Sequence, residues 1–504
     1  GLASGKKGDA KTAIATLGKL AAGADFQKSI HLPHALVEIG RMQYDAKNNT
    51  AARVSLQRVI QAHATSKLKV QADYYLGWVA LGEEKPDEAA KQFGTVADKE
   101  PNHELAPDAR LQQGMVLLGQ EKFAEAQAAL QKFTASYPSD AKLDQATFYL
   151  GKAMSEQEQW NPALAQYAKL AAMAKSELRD NALYESAWAE KGAGRSDKAM
   201  VHYKAMIAGF PQSDLFAPAN FELAELEFEA AEKGAAAQYT AAITRLTALV
   251  AKTKDPQLLS RANYRLGWCQ FNKEAYALAA KAFETVLAGE PPKEIVLPAA
   301  YQAGEARLRL KEFKEAMAAY TKAVAAEPSD KKLHEQAQLR LGESQGLTAA
   351  WAASETTYKG FIAKSPQHEL IRKAHLGLGW ALENQKKYPV AIASYQKVVA
   401  DGEPDEDGAR AQFQIGECHL AQKQYDLAIK EFVGVLVGYG HKEWNSKATL
   451  EMGHALDQQA VELKAAGKAE EADTKIKQAR ERYQEVVDKF PDTDAATVAK
   501  ARLK

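Results

Sequence analysis

The stretch Gln71-Ala-Asp-Tyr-Tyr-Leu-Gly-Trp-Val-Ala-Leu-Gly-Glu-Glu-Lys-Pro-Asp-Glu-Ala-Ala-Lys-Gln-Phe93 holds a small residue, Gly77, among apolar neighbours, and a second, Ala89, four places before a ring. The pattern recurs along the whole chain. A small residue stands at Gly40, Gly77, Gly114, Gly151, Ala187, Ala224, Gly267, Gly304, Gly342, Gly379, Gly416 and Gly453, with successive gaps of 37, 37, 37, 36, 37, 43, 37, 38, 37, 37 and 37. Five places earlier each of these twelve units has alanine, from Ala35 and Ala72 through Ala411 and Ala448. A fixed period of this length is the signature of stacked helical hairpins, each too small to bury its apolar face alone.

Each unit reads as two helices. At about 100° per residue, offsets −5, −1 and +2 from the small residue fall together, and −3, 0 and +4 continue that apolar arc. Offsets −6, −2, +1 and +5 form the remaining, mostly polar arc. The second helix is marked by Ala52, Ala89, Ala126, Ala163, Ala199, Ala279, Ala316, Ala391 and Ala428. Four places on comes a large apolar side chain, such as Phe93, Leu130, Tyr167, Tyr203, Phe283, Tyr320, Tyr395 or Phe432. Small residues on both helices let the backbones approach, and the ring fills the space beside them. Links such as Tyr137-Pro-Ser-Asp140 and Phe490-Pro-Asp-Thr-Asp494 stop one helix at proline and offer Ser or Asp to cap the next.

Leu-Gly at 76–77, 150–151, 266–267, 341–342 and 378–379, the later alanine, the ring and the closing proline together resemble the tetratricopeptide repeat (TPR) family over essentially the whole chain. The resemblance implies an all-α, superhelical solenoid of about twelve hairpins with partial terminal units. The common period is about 34 residues. The longer repeat here is similar to TPR modules of bacterial cell-envelope proteins.

The expected organisation is one continuous array over 1–504. A partial unit occupies 1–30, repeats 31–217, an extended hairpin 218–257, repeats 258–445 and a second extended hairpin 446–493. Residues 494–504 start a further, truncated unit. The extensions come from insertions before Ala242 and Ala479, the second rich in Ala, Glu and Lys with Gly467 at its tip.

Lys plus Arg and Asp plus Glu are 65 each, a formal net charge of zero, which argues against nucleic acid as the main partner. No apolar run reaches the roughly 20 residues of a membrane span. The chain opens at Gly1 without a signal-like segment, so a processed or truncated chain is expected and the compartment is not read from its start. Cys269 and Cys418 both stand at offset +2, four repeats apart, and are read as core thiols without a disulfide.

Catalytic patterns are missing: no Gly-x-Ser-x-Gly, His-Glu-x-x-His, phosphate-binding loop or Cys-x-x-Cys occurs. His31 and His34 straddle Pro33, and Cys418-His419 diverge on a helix, so neither pair suggests a metal site. The expectation is a non-enzymatic chain with no cofactor and no metal.

The resemblance implies that first helices line a concave groove. Offset +1 then places Trp78, Trp188, Glu225, Trp268, Glu305, Glu343, Trp380 and Glu417 along it, and offset −2 adds Tyr75, Tyr149, Arg265 and Arg340. Four of the chain's seven tryptophans share offset +1. Two readings stay open: aromatic anchors for a peptide or partner helix, or tryptophans packed sideways on the neighbouring first helix. The glutamates would favour a basic or amine-bearing ligand. The function expected is a protein-binding scaffold in a bacterial cell-envelope assembly, in the periplasm or at the outer membrane, with the cytoplasm as the alternative location. End-to-end self-association through open terminal repeats, and a regulatory segment of a larger protein, are the alternative functions.

Overall fold

A computed structural model describes residues 10–400 and 404–504. It is 79% helical, with 26 α-helices and no strand among the described residues. Its contacts divide the chain into two compact units, Gly1–Ala235 and Ala236–Lys504.

Within each unit every helix packs on the next, and each repeat supplies a first and a second helix. In the first unit, for example, Lys69–Gly82 pairs with Pro86–Lys99, and in the second Lys331–Leu347 pairs with Trp351–Lys364. First helices also touch one another: Lys331–Leu347 meets Ile371–Asn384, which meets Glu406–Ala421. They therefore form one continuous face in the second unit.

The periodic glycine is a seat for a ring. A Cβ built on Gly77 would lie 2.6 Å from Phe93, on Gly267 2.7 Å from Phe283, and on Gly342 2.7 Å from Tyr358. Phe93 and Phe283 are fully buried in these seats. At these glycine seats a Cβ could not coexist with the ring in its present position, which explains why the periodic residue is small. Ser354 replaces the usual second alanine in the Tyr358 hairpin. Its hydroxyl donates 2.8 Å to the Gly342 carbonyl, so the polar atom is satisfied in the core.

Hairpin turns close on a residue with positive φ seven places after the seat: Lys47, Glu84, Glu121, Glu158, Gly194, Glu274, Lys311, Ala349, Lys386 and Lys423. Lys47 N–H donates to the Tyr44 carbonyl and Asn48 N–H to the Gln43 carbonyl, both at 2.8 Å. These bonds satisfy the carbonyls that the first helix leaves open.

The links follow the expected stop-then-cap arrangement in part. Thr493 does cap its helix, accepting from Ala496 N–H at 3.3 Å. Asp255, Asp330 and Asp405 cap in the same way. In four other links the polar residue instead closes the preceding turn. Ser66 accepts from Leu68 N–H, Asp140 from Lys142 N–H, Ser176 from Leu178 N–H and Ser213 from Leu215 N–H. The following helix then starts without a side-chain cap.

The helices Lys442–Ala465 and Ala469–Lys489 run 24 and 21 residues and pack on each other. Both cysteines are buried and free. No helix among the described residues is long and apolar enough to cross a membrane.

Candidate functional site

The first-helix face carries the sequence-predicted residues in unequal environments. Trp188 is 46% exposed, with Lys191 Nζ 5.3 Å from its ring centroid. Trp78 is partly buried, edge-on to Tyr74 at 6.4 Å and Phe93 at 5.5 Å. Trp268 stands edge-on to Tyr264, Phe271 and Phe283, all of its own hairpin. Trp380 reaches back to the preceding hairpin, edge-on to Trp351 with centroids 5.0 Å apart. It also lies against Gly346, where a Cβ would collide with its ring. Tyr75 and Tyr149 are partly buried against Tyr74 and Phe148, and Glu225 and Arg265 are also partly buried.

Four of these residues meet in the second unit. Glu305, only 8% exposed, accepts from the Tyr320 hydroxyl at 2.7 Å and from Arg340 Nε at 2.8 Å. Arg340 Nη1 donates to Glu343 at 2.8 Å. One guanidinium thus serves two carboxylates, and its nearby charges keep it firmly protonated. The pairing also explains why Glu305 tolerates burial where an isolated carboxylate would not. Trp380 lies beside Arg340 and Glu343 in the wall of a cavity of about 530 Å³.

Two glycines that the reading of the sequence passed over seat rings in the wall of this cavity. At the place four after the seat, other repeats carry partners for the seated ring: Ser155 bonds the Tyr167 hydroxyl, Glu383 that of Tyr395 and Asp457 that of Tyr483. Here the place is Gly346. At offset −2, where other repeats carry Tyr75, Tyr149, Arg265 or Arg340, the next repeat has Gly377. A Cβ on Gly377 would strike the Tyr358 ring. Tyr358 is 5% exposed and forms part of the cavity lining with Tyr301, Leu339, Leu370 and Leu376. Its hydroxyl has no hydrogen-bond partner among the described residues, and burial pushes its pKa upward, so it remains a donor. The signal in the sequence was a gap in the rows, Gly-x-x-x-Gly at 342–346 and Gly-x-Gly at 377–379.

Glu417 stands at the same register as Glu305 without its partners. Its Oε1 is buried and has no hydrogen-bond partner among the described residues. Burial first, then Glu451 and Glu383, push its carboxyl up to about 8. Glu451 is itself held by His454 Nδ1 at 3.0 Å. No group of three or more His, Cys, Asp or Glu suited to a metal occurs among the described residues.

Comparison with known proteins agrees with this anatomy. One tetratricopeptide repeat family profile matches residues 111–156, 229–294, 350–406 and 376–433, a second 297–330 and a third 463–493. No curated protein matches the chain. Among solved structures it is similar to a tetratricopeptide repeat protein from Parabacteroides merdae, at 17% identity and TM-score 0.32, covering 53% of this chain and 96% of that one. It is also similar to the APC/C hetero-tetramer Cut9-Hcn1, at 12% identity and TM-score 0.33, covering 99% of this chain and 94% of that one. A third likeness is to MamA AMB-1, at 16% identity and TM-score 0.30, over 36% of this chain and 94% of that one. Stacked hairpins with glycine seats, and repeat matches spread along their length, establish that this chain belongs to the tetratricopeptide repeat family.

Proposed function

We propose that the chain binds a peptide or a partner helix on its first-helix face. Its family makes it a protein–protein interaction scaffold. The observation that carries the proposed surface is Trp188, left 46% exposed at the repeat position that Trp78, Trp268 and Trp380 hold in their own repeats. Tryptophan is rarely left in water without use, and it dominates binding hot spots because it buries a large area at small entropic cost. In the first unit Tyr75, Tyr149 and Glu225 extend the proposed surface. In the second unit Arg265, Glu343 and Glu417 stand at the same repeat positions, and Glu305 pairs with Arg340.

Capture of partners from the source cell's lysate on immobilised protein tests this reading. Trp188→Ala should release a captured partner, while Val437→Ala, an exposed change on a second helix, should retain it. Retention by both variants, with melting unchanged, would move the binding surface elsewhere. The compartment we propose, the bacterial periplasm or the outer-membrane periphery, rests on the length of the repeat. Fractionation of source cells with an antibody to the chain decides it, and a cytoplasmic signal would overturn it.

A further inference from the structure

The cavity in the second unit is specific in its chemistry. Its apolar lining is supplied by Leu339, Leu370, Leu376, Tyr301, Tyr358 and Trp380. Its volume of about 530 Å³ lies within the roughly 300–1,000 Å³ of ordinary ligand clefts. That is room for a large side chain together with the backbone on either side of it.

The polar lining is not balanced in its hydrogen bonding. Arg340 is occupied by Glu305 and Glu343. Lys373 and Arg410 are both exposed and both lie six places before a seat glycine, Gly379 and Gly416, so they repeat in register on successive first helices. Neither has a hydrogen-bond or ion-pair partner among the described residues; Glu383 interacts with Arg410 electrostatically without pairing with it. Asp407, also in the lining, is a carboxylate without a pairing partner among the described residues, so the two open cations exceed the open carboxylates by one. The Tyr358 hydroxyl is a third donor without an acceptor. An apolar hollow bordered by three unanswered donors lacks two things: an apolar side chain and an oxyanion.

We infer that this cavity seats a large aliphatic or aromatic side chain of an acidic peptide segment, whose flanking carboxylates lie on Lys373 and Arg410. The inference rests on the scaffold reading and deepens it. It reverses the ligand charge suggested by the glutamate row, because Glu305 and Glu343 face Arg340 and are not available to a cationic ligand. Exposed cations of this kind contribute mainly to selection and encounter, whereas the buried side chain supplies most of the affinity.

Fluorescence anisotropy with the full chain tests it. Three fluorescein-labelled, N-acetylated, C-amidated peptides in a Ser-Gly background carry the cores Asp-Glu-Leu-Phe-Glu-Asp, Lys-Arg-Leu-Phe-Arg-Lys and Asp-Glu-Ser-Ser-Glu-Asp. The first should bind at least about tenfold more tightly than either of the others. Lys373→Glu/Arg410→Glu should abolish that preference and favour the basic peptide. Both sites are exposed, so the melting curve should not move. Tyr358→Phe keeps the ring in its seat and should weaken the acidic peptide about threefold. Equal binding of acidic and basic cores, insensitivity to the charge swap, or no binding of any peptide would each overturn the inference. Partner capture that still depends on Trp188 would then leave the scaffold reading standing. Capture indifferent to Trp188 sinks that surface assignment whatever the peptides do.

Discussion

Trp268 and Trp380 hold the same place in their repeats, one residue after Gly267 and Gly379, yet their surroundings differ. Trp268 closes over its own hairpin, edge-on to Tyr264 at 6.5 Å and Phe283 at 6.2 Å. Trp380 stands on the preceding hairpin, against Trp351 and Gly346, and beside it the face opens into a cavity. Repeat register places the backbone. What a side chain then does depends on the room its neighbours leave, and Gly346 leaves room for the ring of Trp380.

The contrast is broken most directly at the glycines. A Cβ at Gly267 would come within 2.7 Å of Phe283, a ring fully buried beneath Trp268 and Tyr264. Gly267→Leu should therefore lower the unfolding free energy by about 3 kcal/mol, at the upper end of ordinary overpacking. At Gly346 the obstruction is the edge of Trp380, which borders open space. Gly346→Ala should cost less than about 1 kcal/mol, since alanine also improves helix propensity. Urea titration of both variants checks the pair. Equal losses would mean that the cavity wall is as tightly packed as the seat.

Much of this fold was legible because its determinants are side chains present at fixed intervals. The glycine seat and the ring sixteen places on, as in Gly77 and Phe93 or Gly304 and Tyr320, announce the hairpin. The turns were hidden because lysine and glutamate, not glycine, hold the positive φ at Lys47, Glu84 and Lys386. The hairpin of Tyr358 escaped the alanine pattern because Ser354 stands in for alanine. The cavity was illegible for a related reason: it is made by absent side chains. For the tryptophan positions, repeat spacing alone could not separate the exposed Trp188 from Trp268, which packs against Tyr264 and Phe271 of its own helix and Phe283 of the next.

Glu305 and Glu417 sharpen the comparison at the level of charge. Both follow a seat glycine directly, but only Glu305 has an arginine and a tyrosine hydroxyl. Glu417 has two acidic neighbours, and its carboxyl is raised to about 8. The folded chain therefore holds this proton more tightly than the unfolded chain, whose carboxyl titrates near the ordinary 4.3. Stability contributed by this group is present below that value and is lost as pH rises towards 8. Glu417→Gln should remove the slope and raise stability at pH 8 by on the order of 1–3 kcal/mol. Thermal melts of both proteins at pH 5, 6.5 and 8 would show it. A wild-type slope that survives the substitution would assign it to other groups.

The smallest expected effect concerns a seated ring in the first unit. Tyr167, Tyr320, Tyr395 and Tyr483 each pass a hydroxyl through the hairpin to a partner, at Ser155, Glu305, Glu383 and Asp457. Tyr203 is buried in the same manner beside Ala187, but its hydroxyl has no partner among the described residues. Lys191 occupies the partner place, and its ammonium is taken by Glu222 at 2.9 Å and by the face of Trp188. A buried hydroxyl without a partner costs roughly 1–3 kcal/mol, and phenylalanine has the same ring without that cost. Tyr203→Phe should therefore be neutral or stabilising by up to about 1 kcal/mol, whereas Tyr320→Phe should destabilise by about 1 kcal/mol because Glu305 loses a donor. The two denaturation midpoints should move apart. If Tyr203→Phe is the more damaging change, its hydroxyl is bonded in solution, and its seat is as well provided as those of Tyr167, Tyr320, Tyr395 and Tyr483.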